Sequence, residues 1–90
     1  MAATLFVRHS VDDYDGWRKV YDEVEDLRQR YGCFGAEVMV SPDDRQDVFV
    51  IHRFPTLDQA QGFAGDPELR DAMGRAGVHL PPRIEFAVEA

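Results

Sequence analysis

The chain has 90 residues, one cysteine and a formal net charge of −7, from 10 basic and 17 acidic residues. This length predicts one domain, residues 1–90, with a small apolar core that a second chain would help to complete. One cysteine excludes an intramolecular disulfide, and the scattered histidines offer no zinc-site spacing, so no metal is expected. The acidic balance argues against a nucleic-acid partner. No segment resembles a signal peptide or a membrane-binding element, so we expect a cytoplasmic protein without a membrane partner.

The first third of the chain predicts a strand and then a helix. Apolar and polar residues alternate over Ala3–Ser10. Asp12 or Asp13 can cap a helix that continues to about Tyr31. Its apolar stripe, at spacings of three and four residues, comprises Trp17, Val20, Tyr21, Val24, Leu27 and Tyr31. Arg28 and the other charged residues are assigned to the polar flanks of this helix.

Three more strands and a second helical region follow. The predicted strands are Phe34–Ser41, Asp47–Phe54 and Arg83–Glu89. The turn between the first two of these is short, which predicts a hairpin. The helical region begins after Thr56 and is interrupted at Gly65-Asp66-Pro67, where the aspartate can cap a new helix with the proline in its first turn.

The element order βαββαβ is the split βαβ pattern. Right-handed crossovers predict a ferredoxin-like α+β fold, with a four-stranded antiparallel sheet in the order 4-1-3-2 and both helical regions on one face. The opposite face would mix charged residues with four large apolar ones, namely Phe6, Met39, Phe49 and Ile51. A sheet face in contact with water should be mostly polar. We therefore expect a second copy of the chain to cover this face and form a homodimer, as in a dimeric α/β barrel.

The strand order also predicts a ligand site at the end of the sheet where strand 1 finishes and strand 4 begins. The residues expected there are His9, Tyr14, Trp17 and His79. Two imidazoles and an indole at the mouth of a helix–sheet cleft suit a small hydrophobic or aromatic ligand, with His9 or His79 as a catalytic base. Phe63 and Met73, on the apolar side of the second helical region, are the further substrate-binding candidates. His52 shares a face with His9 but lies at the opposite end, so the two cannot bind one metal ion.

Two sequence runs resemble a known group of proteins. They are VRHSVDDYDGW at positions 7–17, followed by Tyr21-Asp22, and FAGDPELRDAM at positions 63–73. Together with the element order, they are similar to the small bacterial dimeric α/β-barrel proteins called antibiotic-biosynthesis-monooxygenase-like or cyclase-like. The resemblance covers nearly the whole chain and implies a ligand pocket between helices and sheet in each subunit. The haem-degrading members share an Asn, Trp and His set, and this chain has no asparagine, which argues against haem degradation.

Three functions follow from the residues and the resemblance. The first is a cofactor-independent monooxygenase that acts on an aromatic or polyketide-like substrate, and the missing flavin, nicotinamide and metal motifs agree with it. The second is a polyketide-cyclase-like catalyst without oxygen chemistry. The third is a non-catalytic, ligand-binding or stress-associated dimer. The fold alone does not choose among them, because one fold serves many chemistries.

Overall fold

The computed structural model describes all 90 residues, which form four strands and four helices. In chain order these are β1 (Ala3–Ser10), α1 (Tyr14–Glu23), α2 (Glu25–Arg30), β2 (Gly35–Val40), β3 (Asp47–Phe54), α3 (Leu57–Ala64), α4 (Pro67–Arg75) and β4 (Arg83–Val88). The longest helix has 10 residues, and none of the helices could span a membrane.

The four strands form one antiparallel sheet in the order β2-β3-β1-β4. This is the predicted order seen from the other edge, and it confirms the ferredoxin-like α+β fold. The register places Val7 opposite Val50 on one side and opposite Ile84 on the other, while Val38 pairs with Val50. Since paired residues point to the same side of a sheet, these four side chains form one row on the helix-covered face.

The single helix predicted up to Tyr31 is wrong, because the chain forms two helices that meet at Val24. The backbone of Val24 leaves the helical region, with φ −99° and ψ 23°. Acidic residues crowd this junction on both sides, and negative charge at the C-terminal end of α1 opposes the helix dipole. The guanidinium of Arg28 donates a hydrogen bond to the carbonyl of Tyr21 at 2.8 Å, which stabilises the last turn of α1.

Side-chain caps fix where the other helices begin. The carboxylate of Asp13 accepts from the amide of Gly16, and the hydroxyl of Thr56 accepts from the amide of Gln59. Asp66 caps α4 through the amide of Glu68, with Pro67 in the first turn. Each cap satisfies an amide that has no partner within its helix, so these starts agree with the sequence signals.

The core lies between β1, β3 and the helices, where Leu5, Val48, Phe54 and Ala60 have no exposed surface. The edge strand β4 contributes no buried residue to this core, since every residue in it is exposed. Ile84 and Phe86 were expected to be covered by the helices, but 36% and 38% of their surfaces remain accessible. They point to the helix side as predicted, and the helices pack mainly over the two central strands.

The helix-free face carries the predicted apolar residues. Phe6 and Met39 are 40% and 46% exposed, and Phe49 and Ile51 are half-buried beside them. The charged residues of this face pair within the chain: Arg8 with Asp47 at 2.8 Å, Arg53 with Glu37 at 3.0 Å, and Arg83 with Glu85 at 3.2 Å. The apolar centre of this face therefore has no cover within one chain.

Candidate functional site

A small apolar cavity that opens to solvent lies between the helices and the sheet. Of its 17 lining residues, 14 are hydrophobic, and the main contributors from the helices are Trp17, Val20, Tyr21, Phe63, Leu69 and Met73. The sheet contributes Leu5, Val7, Val50 and Ile84. The lining side chains that can ionise are His9, Tyr21, His52 and Arg28. An apolar cavity with few polar groups is the usual form of a small-molecule site.

His9 ends the buried face of β1 and is 7% exposed. Its ring lies 5.6 Å from the Trp17 ring, and neither ring nitrogen has a hydrogen-bond partner. Burial lowers the pKa of His9 to about 4, and the carboxylate of Asp47 opposes this only weakly. At neutral pH the imidazole is therefore uncharged, with a free nitrogen lone pair beside an indole.

A row of aromatic rings continues from His9 along the cavity. The rings of Trp17 and Tyr21 stack with centroids 4.9 Å apart, and the ring of Tyr21 lies 5.8 Å from that of His52. Phe63 closes the far side, with its ring perpendicular to His52 at 5.4 Å. These rings give the cavity flat walls of the kind that planar ligands contact well.

His52 is the second buried histidine, at 4% exposure. Its Nε2 atom shares a hydrogen bond of 2.8 Å with the hydroxyl of Tyr21, while its Nδ1 atom has no partner. Burial, with a smaller contribution from the charge of Arg28, lowers the pKa of His52 to about 4. Burial also raises the pKa of Tyr21, against the influence of Arg28. Both members of the pair are therefore neutral at physiological pH.

Arg28 is the one buried arginine, at 7% exposure. Its guanidinium carbon lies 4.0 Å above the ring of Tyr21, and it donates to the carbonyl of Tyr21. Arg28 lines the apolar cavity and also a polar cleft between α2 and β2. It therefore places a positive charge where the two spaces meet.

The structure places four of the predicted site residues around this cavity: His9, Trp17, Phe63 and Met73. Tyr14 and His79 are not among its lining residues. The ring of Tyr14 packs under the guanidinium of Arg45 at 4.5 Å. His79 is exposed and bridges Ser10 Oγ at 3.0 Å and Asp12 Oδ1 at 2.6 Å. Of the residues predicted at one mouth, His9 and Trp17 are therefore buried, Tyr14 is half-buried with its ring 5.8 Å from that of Trp17, and His79 is exposed.

Three side chains of the cavity that can form hydrogen bonds were not among the predicted site residues: Tyr21, Arg28 and His52. Arg28 falls on the apolar stripe despite its charge. The stripe has spacings of four, three, four and three residues through Trp17, Tyr21, Val24, Arg28 and Tyr31. This spacing is the signal that would have identified it. His52 was placed at the far end of the sheet, and its register opposite Leu5 agrees. The cavity, however, extends along the sheet and reaches both histidines. No group of three metal-ligating side chains occurs in the chain.

Solved structures with the same arrangement of elements cover almost the whole chain. A protein from Bordetella bronchiseptica that is assigned as an antibiotic biosynthesis monooxygenase superposes with a TM-score of 0.81 at 14% identity, over 99% of this chain and 97% of the other. SnoaB from Streptomyces nogalater, a cofactor-independent oxygenase, gives 0.80 at 11% identity, over 99% and 93%. A protein from Caulobacter crescentus with the same assignment as the first gives 0.75 at 17% identity, over 98% and 91%. The chain has the antibiotic biosynthesis monooxygenase fold.

The resemblance inferred from positions 7–17 and 63–73 is thereby confirmed at the level of the fold. No protein-family model and no curated protein matches the sequence. At 11–17% identity the antibiotic biosynthesis monooxygenase fold fixes the scaffold only. The activity has to be argued from the side chains in the cavity.

Proposed function

We propose that this chain is a cofactor-independent monooxygenase that acts on a small aromatic or polyketide-like phenol in the apolar cavity. The observation that carries the proposal is the state of His9, which is neutral, buried and without a hydrogen-bond partner beside Trp17. A buried imidazole without a partner is costly unless a ligand supplies one. A phenolic hydroxyl would supply it.

The proposed reaction begins with transfer of the phenol proton to His9. A free imidazole with a pKa near 4 is a weak base, but a phenolate formed beside it stabilises the imidazolium and raises its proton affinity. The electron-rich phenolate then reduces oxygen and combines with it at a ring carbon. The proton taken up by His9 completes a ring hydroperoxide. Cleavage of its O–O bond, with loss of the hydrogen on the same carbon, releases water and leaves a quinone, so one oxygen atom enters the substrate and the other leaves as water. The substrate supplies all the electrons.

The binding roles in this proposal follow the geometry of the cavity. Trp17 and Phe63 contact the faces of a planar ligand, and Met73, which is flexible, adapts to its edge. Tyr14 and His79 remain candidates from the sequence, with His79 as the alternative base. Because His79 is exposed and hydrogen-bonded to Asp12, His9 is the favoured base.

We further propose that the working form is a homodimer in which the helix-free faces of two copies pack together. Phe6 and Met39 at the centre of that face are exposed in one chain. Burial of these residues and of Phe49 and Ile51 would contribute several kcal/mol per chain at roughly 25 cal/mol per Å². The paired charges around them would form a polar rim.

Oxygen uptake with hydroxynaphthalenes tests the reaction. We expect wild-type protein to consume oxygen and release a naphthoquinone, and His9→Gln to lose roughly 100-fold or more of that rate, the usual scale for a catalytic base. His79→Gln is the matched control and should retain the rate. Unchanged uptake in both variants would overturn the assignment of a histidine base.

The same assay separates the other two functions. Substrate conversion that continues under argon would indicate a cyclase-type reaction. Binding without conversion, unaffected by loss of His9, would indicate a non-catalytic ligand-binding module. Either result would reject the monooxygenase proposal.

A further inference from the structure

We propose that the ligand of the cavity carries a carboxylate, and that Arg28 binds it at the junction of the cavity and the polar cleft. This inference rests on the proposed small-molecule function and adds the substrate class. Arg28 would act as a binding residue at one end of the ligand, with the aromatic part between Trp17, Tyr21 and Phe63.

The charge balance of Arg28 is unlike that of the other arginines. Apart from Arg70, which is exposed, each of the others forms a salt bridge with a carboxylate. Arg28 is buried and has no such partner, in a chain with a net charge of −7. The Arg28 nitrogens without a protein partner are not fully enclosed, so they open to the polar cleft. A positive charge that is largely shielded from water and has no opposite charge beside it would be stabilised by an anionic ligand.

The hydrogen bonds of Arg28 are also incomplete. One nitrogen, Nη1, donates to the carbonyl of Tyr21, and no other protein atom accepts from the guanidinium. Asp22 and Glu25 line the same cleft, but Asp22 pairs with Arg18, and neither forms a salt bridge or hydrogen bond with Arg28. The remaining N–H groups are free for an acceptor, and a carboxylate matches the planar guanidinium in both geometry and charge.

The neighbours of Arg28 favour an aromatic acid over a free anion such as phosphate. The guanidinium stacks on Tyr21, whose hydroxyl reaches His52 inside the apolar cavity. A ligand that contacts Arg28 at one end therefore meets a nearly continuous apolar wall at the other. A small hydrated anion would gain nothing from this wall.

Calorimetric titration with 2-naphthoate and its neutral isostere 2-naphthamide tests the inference. We expect wild-type protein to bind naphthoate at least about tenfold more tightly than the amide, the scale of one charge-assisted hydrogen bond. The acidic chain repels anions overall, so this preference requires a local positive charge. It should weaken as salt concentration rises.

Arg28→Met should remove the preference, and Arg28→Lys should retain part of it. Arg70→Met, at the exposed unpaired arginine, is the control and should change nothing.

The outcomes distinguish this inference from the proposed function. Equal affinity for the two ligands, or a preference that survives in Arg28→Met, would reject the carboxylate site and leave the aromatic cavity intact. A solely structural role for Arg28 predicts that Arg28→Met lowers stability and leaves the preference unchanged. If neither compound binds wild-type protein, the carboxylate site is rejected, and oxygen uptake with hydroxynaphthalenes tests the proposed function separately. If circular dichroism shows that Arg28→Met does not fold, the carboxylate site is tested by the wild-type preference for naphthoate and its salt dependence. Absence of either would reject the site.

Discussion

The hydroxyl of Tyr21 lies 2.8 Å from Nε2 of His52, inside a cavity that is otherwise almost wholly apolar. This is the one side-chain hydrogen bond made by either buried histidine, since His9 has none. The bond orients the His52 ring and joins α1 to β3 across the cavity. It therefore contributes to the shape of the site as well as to the stability of the fold.

Removal of this bond should be costly. Tyr21→Phe leaves both nitrogens of His52 buried without a partner, and we expect the free energy of unfolding to fall by about 1–3 kcal/mol. In a His52→Phe background the same change should cost much less, because no polar atom is then left unpaired. Chemical denaturation of the four proteins of this double-mutant cycle measures the difference. Equal costs in both backgrounds would show that the bond contributes no coupling.

Acid should destabilise the protein through both buried histidines. Their pKa values fall from 6.5 to about 4 on folding, so the unfolded chain binds more protons than the folded one in this range. Stability is therefore complete above pH 6.5 and declines as pH falls toward about 4, on the order of 3 kcal/mol for each histidine. Thermal unfolding between pH 7.5 and 4.5 should show this decline, and His9→Phe should reduce it.

The helix-free face should control assembly. Phe6→Lys places a charge at the centre of the exposed apolar patch, and we expect the protein to sediment as a single chain while retaining its circular dichroism spectrum. Phe34→Lys is the matched control, because Phe34 is 61% exposed but lies outside that patch. It should leave the dimer intact. Wild-type protein that sediments as a single folded chain would contradict the proposed homodimer.

Filling the cavity should block binding without unfolding the chain. Met73 lines the cavity and is only half-buried, so Met73→Trp can enter the empty space with a moderate cost of about 1–3 kcal/mol in stability. We expect the affinity for 1-naphthol to fall at least about tenfold. Leu57→Trp adds the same side chain on α3 outside the cavity and should retain the wild-type affinity. Undiminished binding in Met73→Trp would place the ligand elsewhere.

The scaffold was predictable because its signals are local. Alternation over Ala3–Ser10 and Asp47–Phe54, with caps at Asp13 and Thr56, sets the elements, and crossover handedness then sets the sheet order. The break at Val24 was missed because the apolar stripe runs through it without a change of phase. What ends α1 there is a concentration of acidic residues and the hydrogen bond from Arg28.

The site was predictable only in part, because side-chain direction depends on packing. The buried position of His9 followed from the strand pattern. The exposed position of His79 did not follow from the pattern, because it depends on hydrogen bonds to Ser10 and Asp12 in the folded chain. Arg28 was assigned to the surface because of its charge, although its spacing placed it on the stripe. A charged residue on an apolar stripe is a candidate functional residue.

The central claim is that the cavity holds an aromatic ligand against neutral His9. The chain has three histidines, so a two-dimensional spectrum of their ring nitrogens contains three sets of signals, for His9, His52 and His79. On addition of 1-naphthol at neutral pH, we predict large shifts for His9, smaller shifts for His52, and none for His79. Shifts confined to His79, or no shifts at all, would contradict this account.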